Sequence, residues 1–290
     1  MNEILVRHCC RWFTRAMVGA AVLTGMAAHA AQPLTYLLPA PTSEIAFAPL
    51  MLAKYQGRYA KAGFDVNFVS VQGGADVAKQ LAAGNGDLGG GLGDTPILVR
   101  QNGVAVKGVA LLGGQVLHQL MLRTDRDIAK IEDLRGKSLA VLSYQDTSYY
   151  ATLAVLASAG LTKDDVRIIG AGPASWQLVA QGKADGMVGT PEWGKNVEAQ
   201  GVELVSTSTG QYVPGMAQSV LASEKAIEAR PDEIWAFVQA TLASIADIMK
   251  DPASASRAYV DAVPAYKGRE AFVERVLREA NKTHPMIASR

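Results

Sequence analysis

Short loops rich in small and hydroxylated residues precede the predicted helices, and these loops have the chemistry to bind a ligand. Such residues leave backbone N–H groups open and add short side-chain donors, and helix N-termini favour negative charge. Hydroxylated and acidic residues also cap helices without binding anything, and that alternative stays open for each loop taken alone. The loops that share the pattern are residues 41–44, 72–76, 93–96, 144–148, 172–175 and 189–192.

Aromatic side chains near the same loops could stack on a flat ligand and hydrogen-bond to its edge. Our candidates for this role are Tyr36, Trp193 and Tyr212. Trp193 and Tyr212 are preferred because they flank predicted strand ends in the second half of the chain. Core packing is the alternative role for each of them.

The charges in these loops are mostly acidic. Arginine is absent from the loops, and Lys195 is the nearest base. A small, strong anion usually requires a basic clamp, so the loops favour a neutral or amine-bearing ligand, although helix N-termini alone can hold an anion. The formal net charge of +1 over 290 residues does not suggest a nucleic-acid partner. The acidic residues are Glu44, Asp76, Asp94, Asp146 and Glu192.

The sequence lacks the familiar motifs of catalysis and metal binding. It contains no H-E-x-x-H, G-x-S-x-G or phosphate-loop pattern. Two histidines lie beyond the N-terminal segment, His118 and His284, and they are far apart in sequence. His118 falls in an apolar strand, where we expect a structural role. We therefore expect a protein that is not an enzyme and has no catalytic residue, metal or cofactor.

The first 30 residues have the order of a secretory signal peptide. Arginines precede an apolar run over residues 16–28, and residues 28–30 form an A-x-A cleavage site. A membrane anchor or a buried helix is the alternative, but the run is shorter than the roughly 20 residues that a membrane span needs. Cleavage would remove Cys9 and Cys10, leaving no thiol and no disulfide. We expect a periplasmic location.

After this segment, short apolar strands alternate with amphipathic helices in two series. Such alternation predicts an α/β fold with mostly parallel sheets that helices cover on both faces. One helix is expected over residues 47–62, and from residue 223 onward we expect only helices. One of these should pack through an apolar stripe made of Trp235, Val238, Leu242, Ile245 and Met249.

The two series and the helical tail predict two lobes with a ligand cleft between them. The first lobe is expected over residues 31–122 and again, as a return strand and C-terminal helices, over residues 219–290. The second lobe is expected over residues 123–218. Crossings near residues 121–125 and 219–223 would serve as hinges, because two-lobed proteins of this kind close over a ligand by hinge bending.

Several short patterns follow one another in a fixed order along the chain. They are Ala-Pro-Leu-Met-Leu-Ala-Lys at 48–54, Gly-Phe-Asp-Val at 63–66, Gly-Gly-Ala-Asp at 73–76, Leu-Ala-Ala-Gly at 81–84, Ile-Glu-Asp-Leu-Arg-Gly-Lys at 131–137, Gly-Leu-Thr-x-x-Asp-Val at 160–166 and Gly-Lys-Ala-Asp-Gly at 182–186. This series resembles the substrate-binding proteins of bacterial ABC importers for alkanesulfonates, taurine and thiamine-pyrimidine precursors. The resemblance covers nearly all of the chain beyond the N-terminal segment.

The resemblance implies a periplasmic, monomeric protein of the two-lobed type II binding-protein fold. Such a protein performs no catalysis and delivers a small molecule to a membrane permease and its ATPase. Relatives often carry Trp-Glu-Pro near the last strand of the second lobe, whereas this chain has Pro191-Glu192-Trp193, so contacts there are expected to differ. By position, the implied ligand contacts are Ser43, Phe47, Gly74, Asp76, Asp94, Thr95, Thr147, Ser148 and Glu192.

Two alternative functions use the same fold. One is an enzyme related to thiamine-pyrimidine synthesis, which relies on a cysteine-rich, histidine-containing metal motif. Here only His8, Cys9 and Cys10 resemble that motif, and they lie in the predicted signal peptide. The other is a sensory binding protein that presents its ligand to a membrane receptor. Sulfonates, aminopyrimidines, flavin-like rings and aromatic acids all remain open as ligands.

Overall fold

Two five-stranded sheets flanked by helices make up the part of the chain that the structure describes. This computed structural model describes residues 31–283, so the predicted signal peptide and His284 lie outside the described residues. The strands are β1 (Gln32–Leu38), β2 (Phe64–Ser70), β3 (Leu88–Leu92), β4 (Val106–Leu111), β5 (Gln119–Arg123), β6 (Ser138–Val141), β7 (Arg167–Gly170), β8 (Gly186–Gly189), β9 (Leu204–Ser208) and β10 (Gln218–Ser223). The helices are α1 (Ala48–Tyr55), α2 (Arg58–Lys61), α3 (Gly74–Ala82), α4 (Thr95–Arg100), α5 (Thr147–Ser158), α6 (Ser175–Ala180), α7 (Pro191–Glu198), α8 (Glu224–Ala229), α9 (Pro231–Lys250), α10 (Pro252–Ala262) and α11 (Glu270–Thr283).

The two sheets have equivalent strand orders; the second is built from the consecutive strands β5–β9, and the first from β1–β4 and the returning strand β10. The first sheet has the order β2-β1-β3-β10-β4 and the second β7-β6-β8-β5-β9. In each sheet the first three strands pair in parallel, and the fourth, β10 or β5, pairs antiparallel with both neighbours. Four strands of each sheet therefore point the same way. This confirms the predicted α/β fold with two lobes and mostly parallel sheets.

The crossings between the sheets lie upstream of the positions predicted from sequence. Strand β5 pairs with β8 and β9, so it belongs to the second sheet and not to the first lobe, where the expected boundary at residue 122 placed it. The chain therefore crosses over residues 112–118 and returns over residues 209–217, before β10 joins the first sheet. Strand periodicity could not assign β5, because periodicity reports burial and not which neighbours a strand pairs with.

The single helix predicted over residues 47–62 is two helices. Helix α1 ends at Tyr55, and Gly57 has a φ of +70° before α2 begins. This left-handed conformation is accessible to glycine at little energetic cost, because glycine has no Cβ. The apolar periodicity continues across the break, so the pattern alone predicted one helix.

Glycines in β3 allow α3 to lie close against the first sheet. A Cβ atom at Gly89 would come within 2.5 Å of Cγ1 of Val77 on α3, and one at Gly91 would come within 2.7 Å of Cδ1 of Leu221 on β10. Interiors packed at this density accommodate an added methyl group only by shifting their neighbours. The small strand thus sets the position of α3, whose first turn faces the space between the lobes.

The C-terminal helices α9, α10 and α11 contribute to the core of the first lobe. Phe237 of α9 is fully buried and stacks on the rings of Tyr36 and Tyr59, with centroid distances of 5.3 and 4.6 Å. The predicted stripe on this helix was wrong at Trp235, which is 64% exposed. The buried face is rotated from the predicted one and consists of Ile234, Phe237, Val238, Thr241, Ser244 and Ile248. Within residues 31–283, no helix has the length and apolar character needed to cross a membrane.

Replacing Phe237 with alanine should destabilise the protein by about 3–5 kcal/mol, because it removes a buried ring and leaves a cavity between two tyrosines. Urea denaturation followed by circular dichroism measures the change. Trp235→Ala, on the same helix but exposed, is the matched control and should shift the free energy of unfolding by no more than about 0.5 kcal/mol. Equal effects of the two substitutions would contradict the observed orientation of α9.

Candidate functional site

A cleft between the two lobes lies at the carboxyl ends of their parallel strands. The loop after β1, the start of α3 and the end of β3 line it from the first lobe, and the loops after β6 and β8 line it from the second. The first crossing contributes as well, through Leu117 and His118, and so does Gln218 at the start of β10. About 550 Å³ of this space is free of protein atoms, part of it open to solvent. The lining residues are Pro39, Ala40, Glu44, Ala46, Phe47, Gly74, Gly91, Leu92, Leu117, His118, Leu142, Asp146, Thr147, Ser148, Gly189, Thr190, Trp193 and Gln218.

The first turns of α3 and α5 meet at the rim of the cleft. A Cβ atom at Gly74 would lie 3.4 Å from Cγ2 of Thr147, so only a small residue fits between the two helices at this spacing. Backbone bonds also join the lobes here: Ala75 N donates to Gln145 O at 3.1 Å, and the Ser143 hydroxyl donates to Gln72 O at 3.1 Å. The two lobes are therefore in contact across the cleft.

Asp146 and Ser148 fix the turn that leads into α5. The Asp146 carboxylate accepts a bond from Ser148 N at 2.8 Å and another from the Ser148 hydroxyl, which satisfies the N-terminal amide of the helix. The Ser148 hydroxyl oxygen also accepts a bond from Leu142 N at 3.2 Å, which ties the helix to the end of β6. Ser148 lines the cleft but is held within the turn, whereas its neighbour Thr147 makes no such cap bond.

A buried pair of carboxyl groups bridges the lobes beside the cleft. Glu192 begins α7 in the second lobe and is 3% exposed, and it accepts a bond from Ile45 N of the first lobe at 2.6 Å. It accepts another from the hydroxyl of Tyr266, and it also borders a second cavity behind the cleft. Burial and the nearby charge of Glu44 raise the pKa of Glu192 to about 8, and burial raises the pKa of Glu44 as well. The pair therefore shares one proton near neutral pH.

Aromatic side chains from both lobes contribute to the cleft wall. Phe47 comes from the loop after β1 and Trp193 from α7, and each is 4% exposed. The indole Nε1–H of Trp193 donates to Oε2 of Glu44 at 3.1 Å, which adds a contact between the lobes. The Trp193 ring lies against Gly189, where a Cβ atom would come within 2.5 Å of it.

The structure brings some of the residues predicted from sequence to the cleft and places others elsewhere. Those that line it are Phe47, Gly74, Thr147, Ser148 and Trp193. Glu192 lies just behind, at the bridge to Glu44. The side chains at the remaining predicted positions serve local structure.

Several predicted contacts hold turns or fill the core. Tyr36 is 1% exposed and stacks in the first-lobe core, and Tyr212 packs on the core of the second lobe. The Thr95 hydroxyl accepts a bond from Leu92 N at 3.0 Å and closes the turn into α4. Asp76 accepts one from Gln72 N at 3.1 Å in the turn into α3.

Two further predicted contacts, Ser43 and Asp94, lie near the cleft without lining it. The Ser43 carbonyl oxygen accepts a bond from the Tyr259 hydroxyl at 3.0 Å. Burial raises the pKa of Asp94, and its Oδ1 is buried without a hydrogen-bond partner in the described structure.

His118 is a cleft residue that the sequence reasoning missed. It lies at the end of the first crossing, just before β5, is 5% exposed, and lines the cleft. Burial lowers its pKa against the opposing influence of Asp146 and Asp94, which favours the neutral imidazole. Its Nδ1 has no hydrogen-bond partner within the described residues, and neither does Oγ1 of Thr190, which follows the neighbouring strand β8. An apolar setting suggested a structural histidine, because the sequence does not show which side of the crossing faces the gap.

Comparison with known proteins assigns the chain to a family. The model of the NMT1/THI5 like family matches residues 44–255, which covers most of both lobes. The chain belongs to the NMT1/THI5-like family. This agrees with the substrate-binding type expected from the sequence patterns.

Two curated relatives of this family member are each 27% identical to it. The riboflavin-binding protein RibY of Chloroflexus aurantiacus aligns over 273 residues, which cover 90% of this chain and 76% of that protein. The taurine-binding periplasmic protein of Escherichia coli aligns over 200 residues, which cover 67% of this chain and 61% of that protein.

Solved structures share the fold of this NMT1/THI5-like protein. The alkanesulfonate-binding protein SsuA of Xanthomonas axonopodis superposes with a TM-score of 0.69 at 19% identity, covering 85% of this chain and 83% of that one. The aliphatic sulphonate binding protein SsuA of Escherichia coli gives 0.68 at 17% identity, covering 88% and 84%. At these identities the match establishes the two-lobed fold.

Glu192→Gln should flatten part of the pH dependence of stability. The folded protein keeps a proton on the carboxyl pair that the unfolded chain releases above about pH 4.5. The free energy of unfolding should therefore fall as the pH rises from about 4.5 to about 8, by at most roughly 1.4 kcal/mol per pH unit for this one proton. Urea denaturation across this window measures the slope.

In the glutamine variant this contribution to the slope should disappear, because the amide stays neutral throughout. Glu198→Gln is the matched control on the same helix, since Glu198 is partly exposed and pairs with Lys195. It should keep the wild-type slope. Identical pH profiles for the wild type and Glu192→Gln would show that the carboxyl pair does not hold the extra proton.

Proposed function

We propose that this protein is the solute-binding component of an ABC importer. It captures a small organic molecule in the cleft between its lobes and delivers it to a membrane permease that is driven by an ATPase. The observation that carries the proposal is the cleft itself, which receives residues from both lobes and from the first crossing at the carboxyl ends of the strands. In open α/β sheets this is where ligands bind.

The proposed mechanism is closure of the two lobes over the ligand. A ligand in this cleft touches Phe47 and Gly74 of one lobe and Thr147 and Trp193 of the other, so it makes its full set of contacts only when the lobes are together. Such a ligand shifts the population toward the closed form by the difference in its affinity for the two forms. The permease then distinguishes loaded from empty protein by the relative position of the lobes.

The periplasm is the proposed location, and the monomer the proposed state. The order of charge, apolar residues and small residues over residues 1–30 supports export through a cleaved signal peptide. The relative from Escherichia coli, a taurine-binding periplasmic protein, also supports this location.

Relatives differ in the solutes in their names, among them riboflavin, taurine and alkanesulfonates. Sulfonates, aminopyrimidines and other aromatic or heterocyclic compounds are therefore the first classes to test. Phe47 and Trp193 provide aromatic surface for a flat ligand.

A thermal-shift screen over these solute classes tests the proposal, because a ligand that binds the folded state raises its apparent stability by mass action. Calorimetry on any hit should give one site per chain. Trp193→Ala should weaken binding at least about tenfold, equivalent to roughly 1.4 kcal/mol, since it removes part of the cleft wall. Trp235→Ala, which alters an exposed tryptophan, should leave the affinity unchanged.

Reconstitution of the protein with an ABC permease and its ATPase in membrane vesicles tests the partner. Loaded protein should stimulate ATP hydrolysis more than empty protein does. A kinase gene next to the gene of this protein, together with no stimulation of ATP hydrolysis by the loaded protein, would favour the sensory alternative. Turnover of the bound solute by the purified protein would favour the enzyme alternative.

A further inference from the structure

The charges around the cleft are all of one sign. Glu44 and Asp146 line it from opposite lobes, and the partly buried Asp94 lies close to His118. No lysine or arginine is found among the lining residues of the described chain. The nearest bases are engaged outside the cleft: Lys79 is exposed at the rim, where it donates to the side chain of Gln145 at 3.1 Å, and Lys195 pairs with Glu198.

Two backbone donors at the helix starts beside the cleft are already occupied. At the start of α5, Ser148 N donates to the Asp146 carboxylate at 2.8 Å, so a negative group of the protein already sits at this helix N-terminus. At the start of α3, Ala75 N donates to Gln145 O at 3.1 Å. A sulfonate in this cleft would meet neither a basic side chain nor these amides, and it would lie beside a carboxylate in surroundings that are largely apolar.

The polar atoms that have no partner in the cleft can accept hydrogen bonds from a ligand that carries donor groups. Thr190 Oγ1 and His118 Nδ1 are buried without partners within the described residues, and both residues line the cleft. A neutral imidazole nitrogen and a hydroxyl oxygen can each accept a hydrogen bond. Buried polar groups without partners carry a free-energy penalty that a matching ligand group removes. The faces of Phe47 and Trp193 also attract cations.

Resting on the proposed function, we propose that the cleft selects a solute that carries a protonated nitrogen, such as an ammonium or amidinium group, and disfavours strong anions such as sulfonates. The cationic group lies between Glu44 and Asp146, and the remainder of the solute lies against the apolar and aromatic wall. Selection is then electrostatic: the protein supplies the anionic groups and the solute supplies the cation.

The test is a thermal-shift and calorimetry panel in which each carbon skeleton is present as an ammonium, an alcohol and a sulfonate. One such set is benzylamine, benzyl alcohol and phenylmethanesulfonate at neutral pH. The ammonium member should bind at least about tenfold more tightly than the sulfonate, with the alcohol between them. Sulfonates or alcohols that bind as tightly as the matching ammonium compounds would overturn the proposed ligand class while leaving the proposed function standing. A panel in which nothing binds would count against both.

Two variants locate the cation. Asp146→Asn keeps an oxygen that can accept the hydrogen bond from the Ser148 amide but removes the charge. It should lower the affinity for the ammonium probe at least about fivefold. The ratio of the affinities for the ammonium and the sulfonate probe should fall as well. Glu44→Gln provides a second test if the first variant folds poorly. Asp164→Asn, whose side chain is 80% exposed away from the cleft, is the matched control and should change neither value. Unchanged selectivity in both cleft variants would overturn the assignment.

Discussion

The return of strand β10 to the first sheet is the constraint on which the rest of the structure depends. The second sheet is built from the consecutive strands β5–β9, whereas β10 follows them in the chain and pairs with β3 and β4 of the first sheet. Each crossing is therefore anchored in a sheet at both ends. The first crossing and the start of β10 line the cleft through Leu117, His118 and Gln218, so residues at the connections between the lobes are also residues that a ligand would touch.

The contact between the lobes combines hydrogen bonds between neutral groups at the rim with a pair of acidic side chains deeper in. At the rim, backbone and hydroxyl groups join the turn before α3 to the turn before α5. Deeper in, Glu44 and Glu192 meet in surroundings where two charges would repel each other with little screening, and a shared proton relieves that repulsion. These two carboxyl groups therefore lose contact with water when the lobes come together. The same burial places negative groups around the space that a solute would occupy.

The sequence predicted what depends on local periodicity and position. Alternating strands and helices gave the α/β class and the two lobes, and loops that follow predicted strands held Phe47, Thr147 and Trp193, which line the cleft. Features that depend on long-range pairing could not be predicted from the sequence. The sheet that β5 joins, the outward face of Trp235 and the exposure of His118 to the cleft are all decided by partners far away in sequence, and a one-residue rotation of a helical stripe leaves the periodicity unchanged.

The hydrogen bond from Trp193 to Glu44 makes Trp193 an intrinsic fluorescence probe of lobe separation. An indole held at the lobe interface, 4% exposed and donating its N–H to an acidic side chain of the other lobe, senses a different medium when the halves separate and water reaches it. Its fluorescence emission then moves to longer wavelength. Lobe separation in this molecule can consequently be followed in real time on unlabelled protein, with the Trp193→Phe variant defining the background from the other tryptophans.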